Sequence, residues 1–599
     1  MKAKNDAPAL TASACQKKAT DPTTQPACQP DSSKPRRPCY RVYDDYTAVN
    51  GGLLRPGVWF HDTVGNEVES KNVDEWICGP LHVDAVTRCD TNQTNYGLLL
   101  RFRNMDDLWL TWAMPRVLLA GRPEVVLATL FDMGLKISHQ HRTRVVTYVA
   151  KQDPERRVIA ATTTGWHGSD LFITPIGNIG RGEAIYQSES ATDGNFSKAG
   201  TIEGWKAGIA SFLPGNPLLQ LGIGTALAGP LLAHLNIHEG GGFHLLADSS
   251  NGKTTIVRCA SSVWGHGVEF TLKWNATASG LEGIAALRND CMLALDELGQ
   301  ADGSYVGDVV YSVADGIGKQ RAARSSAARN VRRWRVMLLS SGEITLETKM
   351  AEGGKRVRAG QGVRLVTVSA NRTFGAWDNL HGHHTGANLS DALRRKSASD
   401  YGHAGPAFVQ MLIDGSELDN LPCMLESIRK NFPTESGQSA RVAERFAIVA
   451  LALELAVDAG LLPMARDEAT NSMVVLFRDW QDSHSKKMSE NGQILKSIRD
   501  FIDRHGGSRF QSTEAGTGEV RDRAGYWEAT ACGRIYMFTR SGLEEAAKGF
   551  EVDRVVRALD SVNAIAKRDK GRAQASKRLP DKSRAKLYCI DPARLEPES

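Results

Sequence analysis

Residues 241–255 read GGFHLLADSSNGKTT, an apolar strand followed by a loop of small residues and the start of a helix. The Gly-Lys-Thr at 252–254 completes the pattern of a phosphate-binding loop, in which backbone N–H groups and a helix N-terminus meet clustered negative charge. Ala247 stands where the pattern usually has its first glycine, a mild departure. The residues predicted to bind ATP are Asp248, Ser249, Ser250, Asn251, Gly252, Lys253, Thr254 and Thr255.

A second element supports the first. Residues 291–297 read CMLALDE, an apolar run that is typical of a buried central strand and ends in two carboxylates. The carboxyl end of such a strand faces the phosphate loop in a parallel sheet. The sequence therefore predicts that Thr254 and Asp296 hold Mg²⁺, that Lys253 binds phosphate, and that Glu297 orients and deprotonates the attacking water.

The composition restricts the class of protein. The chain has 599 residues, of which 41% are hydrophobic and 24% charged, enough for three or four domains. A formal charge of +5 is small for this length, so any nucleic-acid surface must be local. Ten scattered cysteines without a CxxC pair are typical of reduced thiols in a cytoplasmic protein. No secretory signal is evident, and we interpret the apolar stretches 219–235 and 446–462 as buried helices, which excludes a membrane partner.

The pattern along the chain predicts six regions. They are a disordered tail at 1–38, an N-terminal α+β domain at 39–175, a Gly- and Ser-rich linker at 176–200, an α/β P-loop NTPase core at 201–390, a helical segment at 391–485, and a winged-helix-like DNA-binding domain at 486–599. In the N-terminal domain, four tryptophans (Trp59, Trp76, Trp109 and Trp112) could stack on bases, although core packing is the more common role.

Further residues could couple ATP to work. The apolar run 336–341 ends in Ser340 and Ser341, either of which could sense the γ-phosphate, although a strand ending in Ser-Ser-Gly is also an ordinary turn. Between this run and the two carboxylates lies a basic insertion. In a ring motor such an insertion projects into the central channel, where Lys319, Arg321 and Arg324 could grip a nucleic-acid strand.

Arginines after the sensor run are candidates for a finger that reaches a neighbouring subunit. Arg356 or Arg358, beside Gly353 and Gly354, has the required mobility and permanent charge. Arg441 or Arg445 could supply a second cation from the same chain, or could equally form salt bridges on a helix face. The HGHH run at 381–384 is interpreted as a structural loop, because no cysteine or acid accompanies it at metal-ligand spacing.

A basic stretch follows near the C-terminus. Residues 567–586 contain nine lysines and arginines against two aspartates. Phosphate backbones bind such charge density through counterion release, although a solvated surface loop explains it equally well. The candidate DNA contacts in this stretch are Lys567, Arg568, Lys577 and Arg578.

These pieces together resemble the bacterial domain-of-unknown-function 927 family, predicted ATPases similar to the cassette chromosome helicases of mobile elements. The resemblance extends from about Trp59 to the C-terminus. It implies an AAA+-like core of the kind found in MCM-like hexameric helicases, a helical lid over 391–485 and a C-terminal winged helix. The segments that carry it are 165–168 (GWHG), 249–255 (SSNGKTT), 277–283 (TASGLEG), 295–301 (LDELGQA), 341–343 (SGE) and 354–361 (GKRVRAGQ).

The expected function is a Mg·ATP-driven DNA helicase or translocase, acting as a homo-oligomeric, hexameric ring in the replication of a plasmid, phage or integrated element. A primase or polymerase of the same element is a possible partner. One alternative is an ATP-dependent switch or loader on DNA that does not unwind it. Another is a non-catalytic DNA-binding scaffold, against which the intact Lys253, Asp296 and Glu297 count.

Overall fold

The chain divides into two compact units, residues 1–158 with 188–191, and residues 159–187 with 192–599. The computed structural model describes residues 37–49, 52–65, 70–89, 94–188, 193–318, 332–355, 359–415, 417–434, 437–486, 490–514, 520–531, 533–547, 549–569, 572–579 and 581–595. Most of the predicted tail, residues 1–36, lies outside these ranges. Arg37 does not belong to a tail, because its guanidinium pairs with Asp74 at 2.6 Å.

The first unit is an α+β module. Strands β1, β4 and β5 form one antiparallel sheet, β2 pairs with β3, and β7 lies between β6 and β8. Helices α1 and α2 complete a shared core. The elements are β1 (Cys39–Tyr43), β2 (Thr47–Val49), β3 (Gly52–Leu54), β4 (Gly57–Gly65), β5 (Ser70–Cys78), β6 (Leu81–Arg88), β7 (Gly97–Arg103), β8 (Trp109–Pro115), α1 (Pro123–Asp132) and α2 (Arg142–Lys151).

The tryptophans of this unit do not behave alike. Trp112 lies in the core, whereas the ring of Trp109 is 41% exposed and contacts the guanidinium of Arg101. The indole N–H groups of Trp59 and Trp76 donate to nearby carbonyls of the chain. Core packing therefore accounts for Trp112, and base stacking stays a prediction for the others.

The second unit begins with five short strands in the region where the sequence predicted a domain end and a linker. These are β9 (Arg157–Ala161), β10 (Gly165–His167), β11 (Leu171–Thr174), β12 (Gly177–Gly180) and β13 (Ala184–Tyr186). The last two lie within the predicted Gly- and Ser-rich linker 176–200. They pair instead with β11 and β9, respectively.

Contacts of the GWHG segment explain why the unit begins this early. The Trp166 backbone N–H donates to Asp290 at 3.0 Å, and its indole N–H donates to the carbonyl of Pro230. Gly165 has φ +85°, and a Cβ there would lie 2.3 Å from the Asp290 carboxylate. Asp290 also forms a 2.7 Å ion pair with Arg335. Residues 159–187 are thus anchored to the start of a core strand.

The core sheet has five parallel strands in the order β15-β16-β17-β14-β18. One strand, β17, lies between the phosphate-loop strand β14 and the carboxylate strand β16. The elements are α3 (Ile202–Gly208), α4 (Pro217–Ala228), α5 (Leu231–His234), β14 (Gly241–Leu246), α6 (Lys253–Ser261), β15 (Leu272–Lys273), α7 (Ala278–Leu287), β16 (Cys291–Asp296), α8 (Val306–Asp315), β17 (Val336–Gly342), α9 (Leu346–Glu352), α10 (Ala359–Arg364) and β18 (Leu365–Ser369).

The two faces of this sheet pack against different helices, because side chains along a strand alternate. Met337 and Leu339 of β17 pack in the core that contains α4 and α6, whereas Val336 and Leu338 pack with α7 and α8. The same alternation assigns Ala294 of β16 to the α6 face. It therefore places Asp296, two residues further on, on the face that carries the phosphate loop.

The remaining chain is helical and then mixed. The helices α11 (Gly386–Ser399), α12 (Ala404–Asp414), α13 (Leu421–Arg429), α14 (Gly437–Asp458) and α15 (Glu468–Lys486) match the helical pattern of 391–485. Both apolar stretches considered above fall on buried segments of α4, α5 and α14. Within the residues the structure describes, no helix is both long and apolar enough to cross a membrane.

The last region combines three helices with a sheet around β24, which pairs with β21, β22 and β23. Its apolar core joins all three helices to the sheet. Helices flanking a short β-hairpin are what the winged-helix prediction requires. The elements are α16 (Glu490–His505), β19 (Phe510–Ser512), β20 (Gly525–Thr530), β21 (Gly533–Phe538), α17 (Arg540–Ala546), α18 (Val552–Ser561), β22 (Ile565–Lys567), β23 (Ala575–Arg578) and β24 (Arg584–Ile590).

Candidate nucleotide site

The predicted phosphate loop connects β14 to α6 and has the backbone of an anion cradle. Ser250 has φ +60° and Gly252 has φ +110°, so two left-handed residues turn the chain just before the helix begins at Lys253. A Cβ at Gly252 would lie 3.2 Å from both Ala376 and the Trp377 indole nitrogen. The loop is thus packed from outside, and its turn requires a residue that tolerates positive φ. Such a loop leaves the first N–H groups of the helix for a ligand.

Two side chains hold this loop in place. The Lys253 ammonium is buried and donates to the carbonyl of Asp248 at 2.7 Å. The side-chain amide of Asn251 donates to Oδ1 of Asn371 at 2.9 Å, and the backbone carbonyl of Asn251 accepts from the N–H of Ala376. Lys253 therefore lies inside the loop, next to the position that a phosphate would take.

Asp296 is the centre of the site. Its carboxylate is 5% exposed and accepts hydrogen bonds on Oδ1 from the hydroxyls of Thr254, at 3.2 Å, and of Ser341. Lys273 binds Oδ2 at 2.6 Å. Burial acts to raise the pKa of Asp296, but the hydrogen bonds from Lys273 and Ser341 outweigh it and hold the pKa below the ordinary value. The two predicted metal ligands, Thr254 on α6 and Asp296 on β16, are thus within hydrogen-bond distance although they are 42 residues apart in sequence.

Lys273 was missed by the sequence reasoning. It ends the two-residue edge strand β15 and is the register partner of Asp296 on β16. A strand this short gives a weak signal in a single sequence. Its position could have been found only once the strand order was known.

The two serines of β17 lie on opposite faces of the sheet. Ser341 contacts Asp296 on the α6 face. Ser340 lies on the other face, where it accepts from the Trp274 indole at 2.8 Å and lies 2.9 Å from Nδ1 of His244. Ser341 is therefore the candidate sensor that lies in the site, and Ser340 belongs to a buried network.

This network is complete with a neutral imidazole. His244 Nε2 lies 3.0 Å from the carbonyl of Ile344, to which it donates. The other nitrogen then accepts from the Ser340 hydroxyl. Burial lowers the pKa of His244 to about 4, consistent with a neutral ring. The network ties β14, β15 and β17 together beneath the site.

Glu297 directly follows Asp296 in an unusual backbone conformation. Its φ of +66° and ψ of +69° lie in the left-handed region, which costs a residue with a Cβ of order 1 kcal/mol. The side chain is partly buried. Such strain at the end of a central strand turns the side chain away from the strand direction. The conformation suits a group that must be aimed at a ligand.

The residues present fit a magnesium ion. Carboxylate and hydroxyl oxygens are the ligands that Mg²⁺ prefers in proteins, and Asp296 and Thr254 supply them at hydrogen-bond distance from one another. Among the described residues there is no cluster of three or more histidines, cysteines and acids that could hold a metal. Mg²⁺ is commonly bound by one or two protein oxygens together with substrate phosphates, an arrangement that Thr254 and Asp296 could provide.

Several predicted residues lie outside the described ranges. These are Lys319, Arg321 and Arg324 of the basic insertion and Arg356 and Arg358 of the candidate finger. The stem of the insertion is described: the N–H of Gly318 donates to Arg332 at 2.9 Å, and that of Trp334 donates to Gly316 at 2.9 Å. The insertion therefore leaves and re-enters the core as an antiparallel pair.

Arg445 and His381 have structural contacts. The Arg445 guanidinium donates to the carbonyls of Gly240, at 3.2 Å, and of Val363. Gly240 precedes β14, so Arg445 lies at the end of the strand opposite the phosphate loop. Burial lowers the pKa of Arg445 to about 10. His381 Nε2 lies 2.9 Å from the carbonyl of Pro214, as expected of a structural loop.

The basic stretch 567–586 separates into two groups. Lys567 and Lys577 both pair with Glu528, the latter at 2.7 Å, and Arg568 pairs with Asp560 at 2.6 Å. Three of the four predicted DNA contacts therefore already have an acidic partner, and two acids offset two of their three positive charges. The fourth, Arg578, is exposed.

Arg578 belongs to a basic surface on the β23–β24 hairpin. Arg578 lies directly opposite Arg584, and Ser576 lies opposite Lys586. All four are exposed, and within the described residues Arg578, Arg584 and Lys586 form no ion pair. Like charges directly opposite each other destabilise a hairpin, so this arrangement favours a partner that brings negative charge. We call Arg578, Arg584 and Lys586 the hairpin cations.

Comparison with known proteins bears on the fold. Residues 48–333 match the family model of domain of unknown function DUF927, which confirms the resemblance over that range. A solved structure described as "SCCmec type IV Cch - active helicase" is similar to this chain, with 18% identity and a TM-score of 0.61. The match covers 89% of this chain and 95% of that one. This likeness supports a P-loop NTPase-like α/β core, and no match to a curated protein was found.

Two further solved structures match part of the chain. They are NtrX from Brucella abortus in complex with ATP and with ADP, at 14% and 17% identity. The matches cover 56% and 57% of this chain and 67% and 68% of those chains, with TM-scores of 0.17 and 0.19. Likeness this weak carries no argument about the site.

Proposed function

Residues 48–333 match the DUF927 family model, and from that premise we propose that the chain is a Mg²⁺-dependent ATPase that unwinds or moves along DNA. One observation carries the proposal. Thr254, Asp296 and Ser341 converge beside a phosphate loop at the carboxyl edge of a parallel sheet. The strand order, with one strand between the phosphate-loop and carboxylate strands, supports an AAA+-like core.

In this proposal each residue of the site has a separate role. Lys253 and the loop N–H groups bind the phosphates, and Thr254 and Asp296 hold Mg²⁺, which neutralises charge on the transferred phosphoryl group. Glu297 orients and deprotonates the attacking water. Ser341 contacts the γ-phosphate and reports its loss. Catalysis is then mostly positioning and charge stabilisation.

Work on DNA requires groups beyond this site. We infer that Arg356 or Arg358 reaches the nucleotide of a neighbouring copy, and that Lys319, Arg321 and Arg324 grip DNA in the channel of a ring. Mixing Arg356→Ala or Arg358→Ala protein with Lys253→Ala protein should restore part of the activity, since some mixed rings contain complete sites. If rings that are shown to contain both variants recover no activity, neither Arg356 nor Arg358 is the finger.

The deciding experiment is strand displacement on forked DNA, run beside ATP hydrolysis with and without DNA. A helicase displaces the strand, and DNA stimulates its hydrolysis. Glu297→Gln is the matched control, because it should bind ATP and DNA yet displace nothing. Neutralising Lys319, Arg321 and Arg324 should abolish displacement at saturating DNA while leaving much of the DNA affinity.

The alternatives predict other outcomes of the same assay. A switch or loader hydrolyses ATP on DNA without displacement, and a scaffold binds DNA without hydrolysis. Normal displacement by the insertion variant would contradict the channel role.

The cellular setting is part of the proposal. The fold likeness to a structure described as a cassette helicase favours a cytoplasmic, hexameric ring that replicates a plasmid, phage or integrated element, with a primase or polymerase as partner. Light scattering of the ATP-bound Glu297→Gln protein measures the number of copies. A monomer at all concentrations would contradict the ring.

A further inference from the structure

Lys273 holds the carboxylate that the proposed function assigns to the metal. Its ammonium lies 2.6 Å from Oδ2 of Asp296, and the two residues are register partners on adjacent parallel strands. The two side chains differ in exposure, at 52% for Lys273 and 5% for Asp296. The lysine therefore reaches a buried charge from the rim of the site.

The two oxygens of Asp296 have different kinds of partner. Oδ1 accepts from the hydroxyls of Thr254 and Ser341, which are neutral, and Oδ2 pairs with the charged Lys273. A buried carboxylate without a counter-charge is costly, and hydroxyl groups compensate only part of that cost. Lys273 thus supplies the positive charge that pairs with Asp296 when no metal is bound.

A metal ion at Thr254 and Asp296 would bring a second positive charge to the same carboxylate. Two cations on one carboxylate repel each other, so Lys273 and the metal compete for it. The lysine can give way, because its ammonium ends a flexible, half-exposed stem on an edge strand. Asp296, fixed by two hydroxyls, does not have to move.

We propose that Lys273 is a positioning residue that serves as the resident counter-cation of Asp296 and lowers the affinity of the site for Mg²⁺. It keeps the empty site assembled, with Asp296 ionised and oriented towards Thr254. It also ensures that the metal is retained only when nucleotide phosphates add their own negative charge. The inference rests on the proposed function, which assigns the metal to Thr254 and Asp296.

The test compares Lys273→Met, which keeps length and removes charge, with Lys273→Arg, which keeps the charge. Thermal unfolding of the nucleotide-free protein is measured in EDTA and across a Mg²⁺ titration. We expect Lys273→Met to unfold at a lower temperature than the wild type in EDTA. Mg²⁺ should raise its unfolding temperature, with a midpoint at a concentration roughly tenfold below the midpoint for the wild type. Lys273→Arg should follow the wild type.

A second measurement uses a fluorescent, non-hydrolysable ATP analogue. The Mg²⁺ concentration for half-maximal binding should fall by a similar factor in Lys273→Met. Lys567→Met is the matched control, because it also breaks a lysine–carboxylate ion pair but lies in the C-terminal region. If Lys273→Met does not fold, Lys273→Gln replaces it.

Three results would overturn the proposal. Lys273→Met could require as much Mg²⁺ as the wild type, or fail to recover its unfolding temperature with Mg²⁺, which would make the pair purely structural. Selective loss of the ATP analogue with unchanged ADP binding would make Lys273 a phosphate ligand. Absence of nucleotide binding in every variant would sink the proposed function instead, and the nucleotide-free titration would still decide the role of Lys273.

Discussion

The phosphate-loop site and the basic stretch 567–586 both concentrate charge, but they do so in opposite ways. The site gathers a few groups from three strands and one helix around Asp296, which is almost wholly buried. The basic stretch carries nine cations within twenty residues, divided between surface ion pairs and solvent. Buried convergent charges are costly to disturb, whereas exposed charges are individually weak. Single substitutions should therefore abolish the function of the phosphate-loop site, whereas in the basic stretch each should cause only a partial loss.

The largest effects are expected from Lys253 and Glu297. Lys253→Ala should abolish ATP hydrolysis and weaken nucleotide binding, since the ammonium contacts ground-state phosphate charge. Glu297→Gln should abolish hydrolysis, by 100-fold or more as a rough estimate, and retain binding, since the carboxylate acts on the water. Steady-state hydrolysis and analogue titration measure the two properties separately. Equal loss of binding in both variants would contradict the assigned roles.

The next effect separates the two serines of β17. Ser341→Ala should reduce hydrolysis about 10- to 100-fold with little change in stability, because it removes a group beside Asp296. Ser340→Ala should lower the free energy of unfolding by about 1–3 kcal/mol, because the buried Trp274 and His244 each lose a partner. Urea unfolding and hydrolysis per folded molecule make the comparison. If Ser340→Ala lost hydrolysis and Ser341→Ala lost stability, the assignment of Ser341 to the site would be wrong.

A pH effect follows from His244. Its folded pKa of about 4 lies below the unfolded value of about 6.5, so the unfolded state binds more protons between these values. The contribution of neutral His244 to the free energy of unfolding is fully present above pH 6.5 and is lost as the pH falls towards 4. Between pH 7 and pH 5 the loss should be about 2 kcal/mol. Urea unfolding of wild type and His244→Gln at both pH values checks it, and an unchanged pH dependence in the variant would exclude His244 as its source.

Asp296 contributes in another pH range. The pKa of Asp296 in the folded state is below that in the unfolded state. Its contribution to the free energy of unfolding is therefore present above the unfolded-state pKa and is lost only as the pH falls through the folded-state pKa. The effect of His244 between pH 7 and pH 5 can therefore be measured separately from that of Asp296.

The smallest effects are expected from the basic stretch. Neutralising Arg578 and Arg584 to Ser should lower DNA affinity several-fold and reduce the slope of log affinity against log salt by roughly one per lost phosphate contact. Neutralising Lys567 and Lys577 removes the same formal charge but should change the slope less, since both lysines pair with Glu528, which offsets one of their two charges. Fluorescence anisotropy across a salt series measures this. If log affinity falls with log salt at the same slope in both double variants, ion pairing does not decide which cations bind DNA.

Sequence reasoning succeeded where the signal is local. The loop 248–255 and the strand ending at Asp296 lie where the motifs predicted, because backbone turns and strand burial depend on neighbouring residues. It gave no information where a side chain's partner is remote. The ion pairs of Lys567 and Lys577 with Glu528 could not be read from the sequence, because 39 and 49 residues, respectively, separate them. Their role in DNA binding stays a prediction.

The same limit applies to the region before the core. The composition predicted a domain that ends at 175 and a linker at 176–200, yet β12 and β13 pair with strands that precede them. Asp290, more than a hundred residues away, binds the backbone of Trp166 in the GWHG segment before them. A single sequence shows Gly165, but it does not show that the Asp290 carboxylate lies so close to this position that only a residue without a Cβ fits.

The sequence by itself determined that this chain has a phosphate loop, a carboxylate-bearing central strand, helical segments after the core and a basic stretch near its end, because these features follow from local periodicity and residue chemistry. Only the tertiary structure decided that Ser341 rather than Ser340 faces Asp296, that Lys273 binds the same carboxylate, and that the hairpin cations remain unpaired. Those outcomes depend on strand order and register, which are set by the packing of the whole sheet.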